Sequence, residues 1–271
     1  MRTLPTLPDS WESTSATLHS YAKAVGAVPR AFGIAHPKWW HVSLEPRPTG
    51  LVTDPIPLPA GGTVELRMDL REHCVVIETS DGVRSEIAMN TGMTGTELGD
   101  SIVAAVHEFG LNGAVDRTKF EDEDPRPYDE ATAVLMFGTF TDVATVFERH
   151  RASIGGPTSP VQLWPHGFDL ALDWFGTRTE SYEEDGEVTV YPSQLNLGFS
   201  AGGEPYFYSN PWPFEREALL TADLPRGASW HTEGWEGTIL PYTELVGEEG
   251  GLDRLADYAR AVFEVASPTL A

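Results

Sequence analysis

Three histidines, each set near tryptophans, are the residues of this chain best placed for chemistry. The stretch Leu163-Trp164-Pro165-His166-Gly167-Phe168-Asp169-Leu170-Ala171-Leu172-Asp173-Trp174 puts a histidine and two carboxylates inside an aromatic and aliphatic run. Polar groups buried without partners are costly, so such groups need either a hydrogen bond or a task. A neutral imidazole among aromatic rings has a lowered pKa and can act as general acid or base near neutral pH. His166 is the leading catalytic candidate, Asp169 the group to orient it, and Asp173 is expected to face solvent. The structural alternative for His166 is a core histidine satisfied by a backbone carbonyl. His41, two residues after Trp39, is the second catalytic candidate.

A binding set surrounds these groups. His231 and Glu233 lie in Trp230-His231-Thr232-Glu233-Gly234-Trp235-Glu236-Gly237, a segment able to close over a ligand. Tyr206, Tyr208, Trp212 and Trp235 form an aromatic concentration, and Trp39 and Trp164 accompany their histidines. Aromatic surfaces stack on sugars, flat heterocycles or cations, although core packing accounts for most such residues.

Several machines are missing. No GxGxxG follows a strand, and neither GxxxxGK[ST] nor GxSxG occurs, which argues against nucleotide cofactors and a serine-hydrolase elbow. No cofactor is expected. His41, His166, His231 and Asp169 have the donor types for zinc or iron but no compact ligand spacing, so metal dependence stays a minor alternative. The acidic run Glu121-Asp122-Glu123-Asp124 lacks the glycine spacing of an EF-hand. The single cysteine, Cys74, excludes an internal disulfide and any CxxC motif; beside Val75, Val76 and Ile77 it reads as a buried inert thiol.

The elements that must position these residues read as α+β. Residues Trp11 to Val25 have helical spacing with Gly26 as a stop. Trp39 to Leu44 reads as a strand, followed by a proline-marked, edge-like connection. Val64 to Leu70 alternates apolar and charged residues, Cys74 to Thr79 returns, Asp81-Gly82 turns, and Val83 to Met89 makes a third strand. Thr94 and Glu97 have the spacing of a capping box opening a helix with Leu98, Ile102, Val106 and Phe109 on one face. After a solvated connection over 112–130, a helix is predicted from Thr141 to Ile154. The Leu163–Trp174 stretch reads as one strand and Glu183-Glu184-Asp185-Gly186 as a turn. Strands are expected at Val188–Tyr191, Leu195–Phe199, Tyr206–Tyr208 and Thr238–Tyr242. A last amphipathic helix carries Leu252, Leu255, Ala259, Val262, Phe263 and Ala266.

The halves 10–111 and 135–267 share an order: a helix, a strand with Trp-x-His, further antiparallel strands, and a closing helix. In a strand each tryptophan would share a face with its histidine. A duplication would bring the two histidines near a pseudo-twofold axis and leave a small-molecule pocket between halves. The chain is expected to be a single unit over 1–271 containing these pseudo-repeat halves.

Charge and length bound the partners. At 271 residues and a formal charge of −23, the surface repels phosphate backbones and anionic membranes, with no Lys/Arg stripe to offset it. The 41% apolar content is that of a folded protein, no apolar run approaches a membrane span, and Met1 to Pro8 lacks a signal-peptide core. The expectation is a cytoplasmic protein with a small-molecule ligand, no nucleic acid and no membrane; its oligomeric state is open. Lys23, Lys38 and Lys119 are the only lysines.

Three stretches carry a likeness: Ser159 to Ala171, Glu204-Pro205-Tyr206-Phe207-Tyr208 with Pro211-Trp212, and Trp230 to Gly237. Trp39-Trp40-His41-Val42 and Arg126-Pro127-Tyr128-Asp129 join them. Together they resemble a bacterial family of uncharacterised proteins, the domain of unknown function numbered 5996. The resemblance spans nearly the whole chain and implies a unit of about that length, with no activity or residue role attached. Two functions remain from the residues themselves. The first is an enzyme acting on a small organic molecule by His-based acid/base chemistry, of lyase, isomerase or cyclase type. The second is a non-catalytic binding or interaction protein with structural histidines.

Overall fold

The computed structural model describes residues 3–184 and 187–271, so Asp185 and Gly186 of the expected acidic turn, and Met1 and Arg2, lie outside the described residues. The architecture is α+β, with two largely antiparallel sheets and flanking helices. By its contacts the chain divides into two compact units. The first comprises Leu7–Thr141 and Gln162–Asp169, and the second Met1–Thr6, Asp142–Val161 and Leu170–Ala271.

The first unit opens with helix α1 (Trp11–Phe32), which runs on through Gly26. Glycine here is not a stop. A Cβ at Gly26 would stand 2.7 Å from Pro165 Cγ, so the residue makes room for a close approach rather than ending the helix. The chain next forms β1 (Glu45–Arg47), β2 (Gly50–Val52), β3 (Ile56–Pro57), β4 (Thr63–Asp69), β5 (Cys74–Thr79) and β6 (Arg84–Ala88). The order is β1-β2-β4-β5-β6, with β3 also on β4. Pro46 and Pro57 lie in the short strands β1 and β3, where a missing N–H costs least. Val64, Leu66, Met68, Val75 and Ile77 are fully buried, and Cys74 is 7% exposed, its pKa raised by burial. Thr94 and Glu97 form the expected reciprocal capping box at the start of α2 (Gly95–Glu108), which buries Leu98, Ile102 and Val106.

Helix α3 (Glu130–Ser153) begins eleven residues before the predicted Thr141. Its start is set by Asp129, whose Oδ1 accepts the Thr132 N–H at 2.8 Å. Apolar residues occur on several sides of its first turns, with Ala133, Met136, Phe137 and Phe140 buried, so the helical period is blurred there. This helix is long and apolar enough by composition to cross a membrane, and half of its most apolar window is buried by protein.

Two predicted strands are corrected. Trp39 to Leu44 is a left-handed residue (Trp39, φ 61°) followed by a 3-10 turn over Trp40–Val42. Local bonds satisfy this backbone: Trp39 N–H to His36 O at 2.8 Å, Val42 N–H to Trp39 O at 3.1 Å and Ser43 N–H to Trp40 O at 3.0 Å. The Leu163–Trp174 stretch is likewise not one strand. It comprises β7 (Gln162–Trp164), a four-residue turn, and the start of β8 (Asp169–Glu184). Pro165 cannot donate to a ladder, and Phe168 bends the chain with φ 54°. The Trp-x-His pairs at Trp39 and Trp164 therefore share no strand geometry, and the strand basis for a repeat is absent.

In the second unit β8 is followed by its neighbour β9 (Glu187–Ser200), a single strand where two were predicted. β10 (Tyr206–Trp212), the one-turn α4 (Arg216–Leu219), β11 (Ser229–His231) and β12 (Gly237–Pro241) follow, and the strands lie in the order β11-β12-β10-β9-β8. Helix α5 (Gly251–Ala266) buries Leu255, Tyr258, Ala259, Val262 and Ala266. Leu195, Leu219, Ala266 and Leu270 form a core cluster edged by Trp174, Phe214, Trp230 and Phe263.

Candidate functional site

His166 occupies the tip of the turn between β7 and β8 and is exposed, contrary to the expected burial on a strand face. The neighbouring residue explains why. Phe168 is buried, its ring edge-on to Phe140 at 5.5 Å and stacked with His19 at 5.8 Å, and its N–H bonds Trp164 O at 2.8 Å. Anchoring Phe168 inward, in a backbone conformation unusual for a bulky residue, throws His166 and Gly167 outward. His19 Nε2 lies 2.9 Å from His166 O and pins the turn to α1; burial lowers the His19 pKa, which favours a neutral ring donating that bond.

The turn borders a cleft lined by Lys23, Gly26, Ala27, Arg30, Val42, Lys119, Pro165 and His166. Lys23, Ala27 and Arg30 recur at helical spacing along one face of α1, and Lys119 ends a 3-10 turn (Arg117–Lys119). Two of the chain's three lysines, an arginine and a histidine thus meet in a protein of formal charge −23. Lys119 has Asp116 at 3.6 Å, whereas Lys23 and Arg30 make no ion pair among the described residues. Arg30 instead lies over the Trp39 ring, 5.0 Å from its centroid. At such a partly buried surface each cation attracts an anion at contact by about 1–4 kcal/mol before desolvation.

The other first-unit candidates have local surroundings. His41 is 7% exposed, its Nδ1 accepts the His36 N–H at 3.1 Å, and its ring stacks on Trp39 at 5.6 Å. Burial, then Arg30, lowers its pKa, so a neutral ring closes the loop. Trp39 is 54% exposed. Trp164 is half-buried, its ring edge-on to His166 at 5.8 Å. Asp169 is half-buried at the first position of β8, its Oδ1 close to Gly167.

The second unit brings three predicted residues together. Tyr206, Tyr208 and Trp235 line one cleft with Asn196 and Asn210, and His231 packs on Trp235 at 4.5 Å. Trp212 stands apart, stacked on Tyr182 at 5.9 Å. Glu233 is exposed in the turn before Trp235. His41 and His166 thus belong to one unit and His231 to the other.

A family model matches residues 4–271, nearly the whole described chain. The chain belongs to the family of unknown function DUF5996. No curated protein and no solved structure matches it. In this DUF5996 chain, no three His, Cys, Asp or Glu side chains among the described residues are grouped to hold a metal ion. Sequence reasoning missed the cationic cleft because its parts lie at positions 23, 30, 119 and 166. The only local signal was the seven-residue spacing of Lys23 and Arg30 on one helix face.

Proposed function

We propose that the protein binds a small anionic organic molecule, a carboxylate or phosphate ester, in the Lys23–Arg30–Lys119 cleft and acts on it by acid/base chemistry through His166. The observation that carries this reading is the meeting of Lys23 and Arg30, without an ion pair among the described residues, with an exposed imidazole in one cleft of an acidic protein. The His166 ring makes no hydrogen bond among the described residues, which leaves both nitrogens for a ligand. The cations would hold the anionic group while His166 removes or returns a proton at a neighbouring carbon or oxygen. No nucleotide cofactor enters this reading.

A second reading, binding without turnover, is favoured by the absence of a carboxylate hydrogen bond to the His166 ring among the described residues. One experiment separates them. A panel of small carboxylates and phosphate monoesters is followed by NMR in D₂O, with chemical-shift changes reporting binding and deuterium incorporation at C–H reporting proton transfer. Acid/base catalysis predicts both, with exchange lost in His166→Gln and binding weakened about tenfold in Lys23→Ala, the equivalent of about 1.4 kcal/mol. Binding without exchange selects the second reading. No binding by any anion on the panel removes both.

A further inference from the structure

The aromatic cleft of the second unit has a chemistry different from that of the cationic cleft. Tyr206, Tyr208 and Asn210 project from alternate positions of β10, and Asn196 comes from the facing position of β9, where Asn210 pairs with Asn196. Gly198 lies opposite Tyr208 in the same pairing. A Cβ built on Gly198 would fall 2.2 Å from Tyr208 Cζ, so the tyrosine ring lies across the neighbouring strand in space that only glycine leaves. Tyr208 thereby becomes a floor. Trp235 meets it at 73° with ring centroids 6.1 Å apart and forms a wall, while Tyr206 is tilted by 56° at 6.0 Å. The cleft encloses about 300 Å³.

Its polar groups are amides. Asn196 Nδ2 donates to Asp173 Oδ1 at 3.0 Å, while Asn196 Oδ1 is buried with no hydrogen-bond partner among the described residues. Asn210 Nδ2 donates to Glu236 O, which fixes its carboxamide at the cleft edge. His231, packed on Trp235, has a buried Nε2 without a partner among the described residues. No lysine or arginine lines this cleft, and the chain's net negative charge disfavours an anion here.

We infer that this cleft is a binding site for a neutral polyhydroxylated ring, a pyranose sugar or close analogue. Aromatic faces take the apolar C–H face of such a ring, and carboxamides both donate to and accept from its hydroxyls. A floor and wall at 73° suit a puckered ring with substituents at its edge; a flat heterocycle is held best between parallel rings. The inference is independent of the function proposed for the cationic cleft.

The test uses the full chain and saturation-transfer NMR with methyl β-glucopyranoside, methyl β-galactopyranoside and N-acetylglucosamine as neutral probes. Adenosine serves as a flat heterocycle and glucose 6-phosphate as an anion. At least one neutral glycoside is expected to receive saturation on its ring C–H protons at millimolar concentration. Trp235→Ala and Gly198→Val should each weaken that binding at least tenfold. Far-UV circular dichroism checks that each variant is folded. Should Gly198→Val not fold, Tyr206→Ala takes its place with the same expectation. No transfer to any neutral glycoside, transfer to adenosine alone, or transfer that survives Trp235→Ala would each overturn the inference.

Discussion

His150 shows how a single half-buried base sets a pH response. It lies near the end of α3, edge-on to Phe263 at 5.8 Å, and burial alone pushes its pKa down to about 4. An unfolded chain protonates it near 6.5, so between about 4 and 6.5 the unfolded state binds more protons than the folded one. Stability is therefore complete above about pH 6.5, falls as pH drops toward 4, and levels off below that as far as this residue is concerned. The difference in melting temperature between wild type and His150→Gln, measured from pH 8 to 4, should change over that window. A difference flat with pH would show that His150 is not buried as described. Gly26 makes a steric prediction. An alanine gains up to about 1 kcal/mol of helix propensity, but its Cβ meets the rigid Pro165 ring, and overpacking of that kind costs about 1–3 kcal/mol. The clash should prevail, lowering the denaturant midpoint of Gly26→Ala; a raised midpoint would mean that the His166 turn yields easily.

At the scale of elements, the ends of helices carry the clearest prediction. Thr94 and Glu97 satisfy two backbone donors reciprocally, at 3.1 Å and 2.9 Å. Thr94→Ala should cost about 1 kcal/mol, read as a shift in urea midpoint at unchanged slope. This cap was legible from spacing alone because both partners lie within four residues. The start of α3 was not, even though Asp129 and Thr132 have cap spacing, because the apolar residues after them lie on several sides and mask the period. The Trp39–Val42 turn was misread for a related reason. A tryptophan-rich run has strand propensity, but bonds from His36 and His41 within the same loop satisfied its backbone first.

At the scale of the whole molecule, charge acts in two opposite senses. The excess of acidic residues repels itself, so raising salt from about 10 to 150 mM should raise the melting temperature as the screening length falls from about 30 to 8 Å. The same salt should weaken anion binding at Lys23 and Arg30. Measuring both on one preparation checks the cleft: a ligand affinity independent of salt would mean that these cations do not hold it.

The β4-β5-β6 meander, the capped α2 and the buried face of α5 were determined by the sequence, since each rests on a pattern a few residues long. So was the choice of His166, Tyr206, Tyr208 and Trp235 as residues to examine. What surrounds them was decided by tertiary structure. Phe168 had to pack between Phe140 and His19 before His166 could be turned out to solvent. Helix α1 had to carry a glycine against Pro165 before Lys23 and Arg30 could border the same cleft. Local pattern reports the period of an element, whereas a site made from positions 23, 30, 119 and 166 exists only once packing has closed the chain between them.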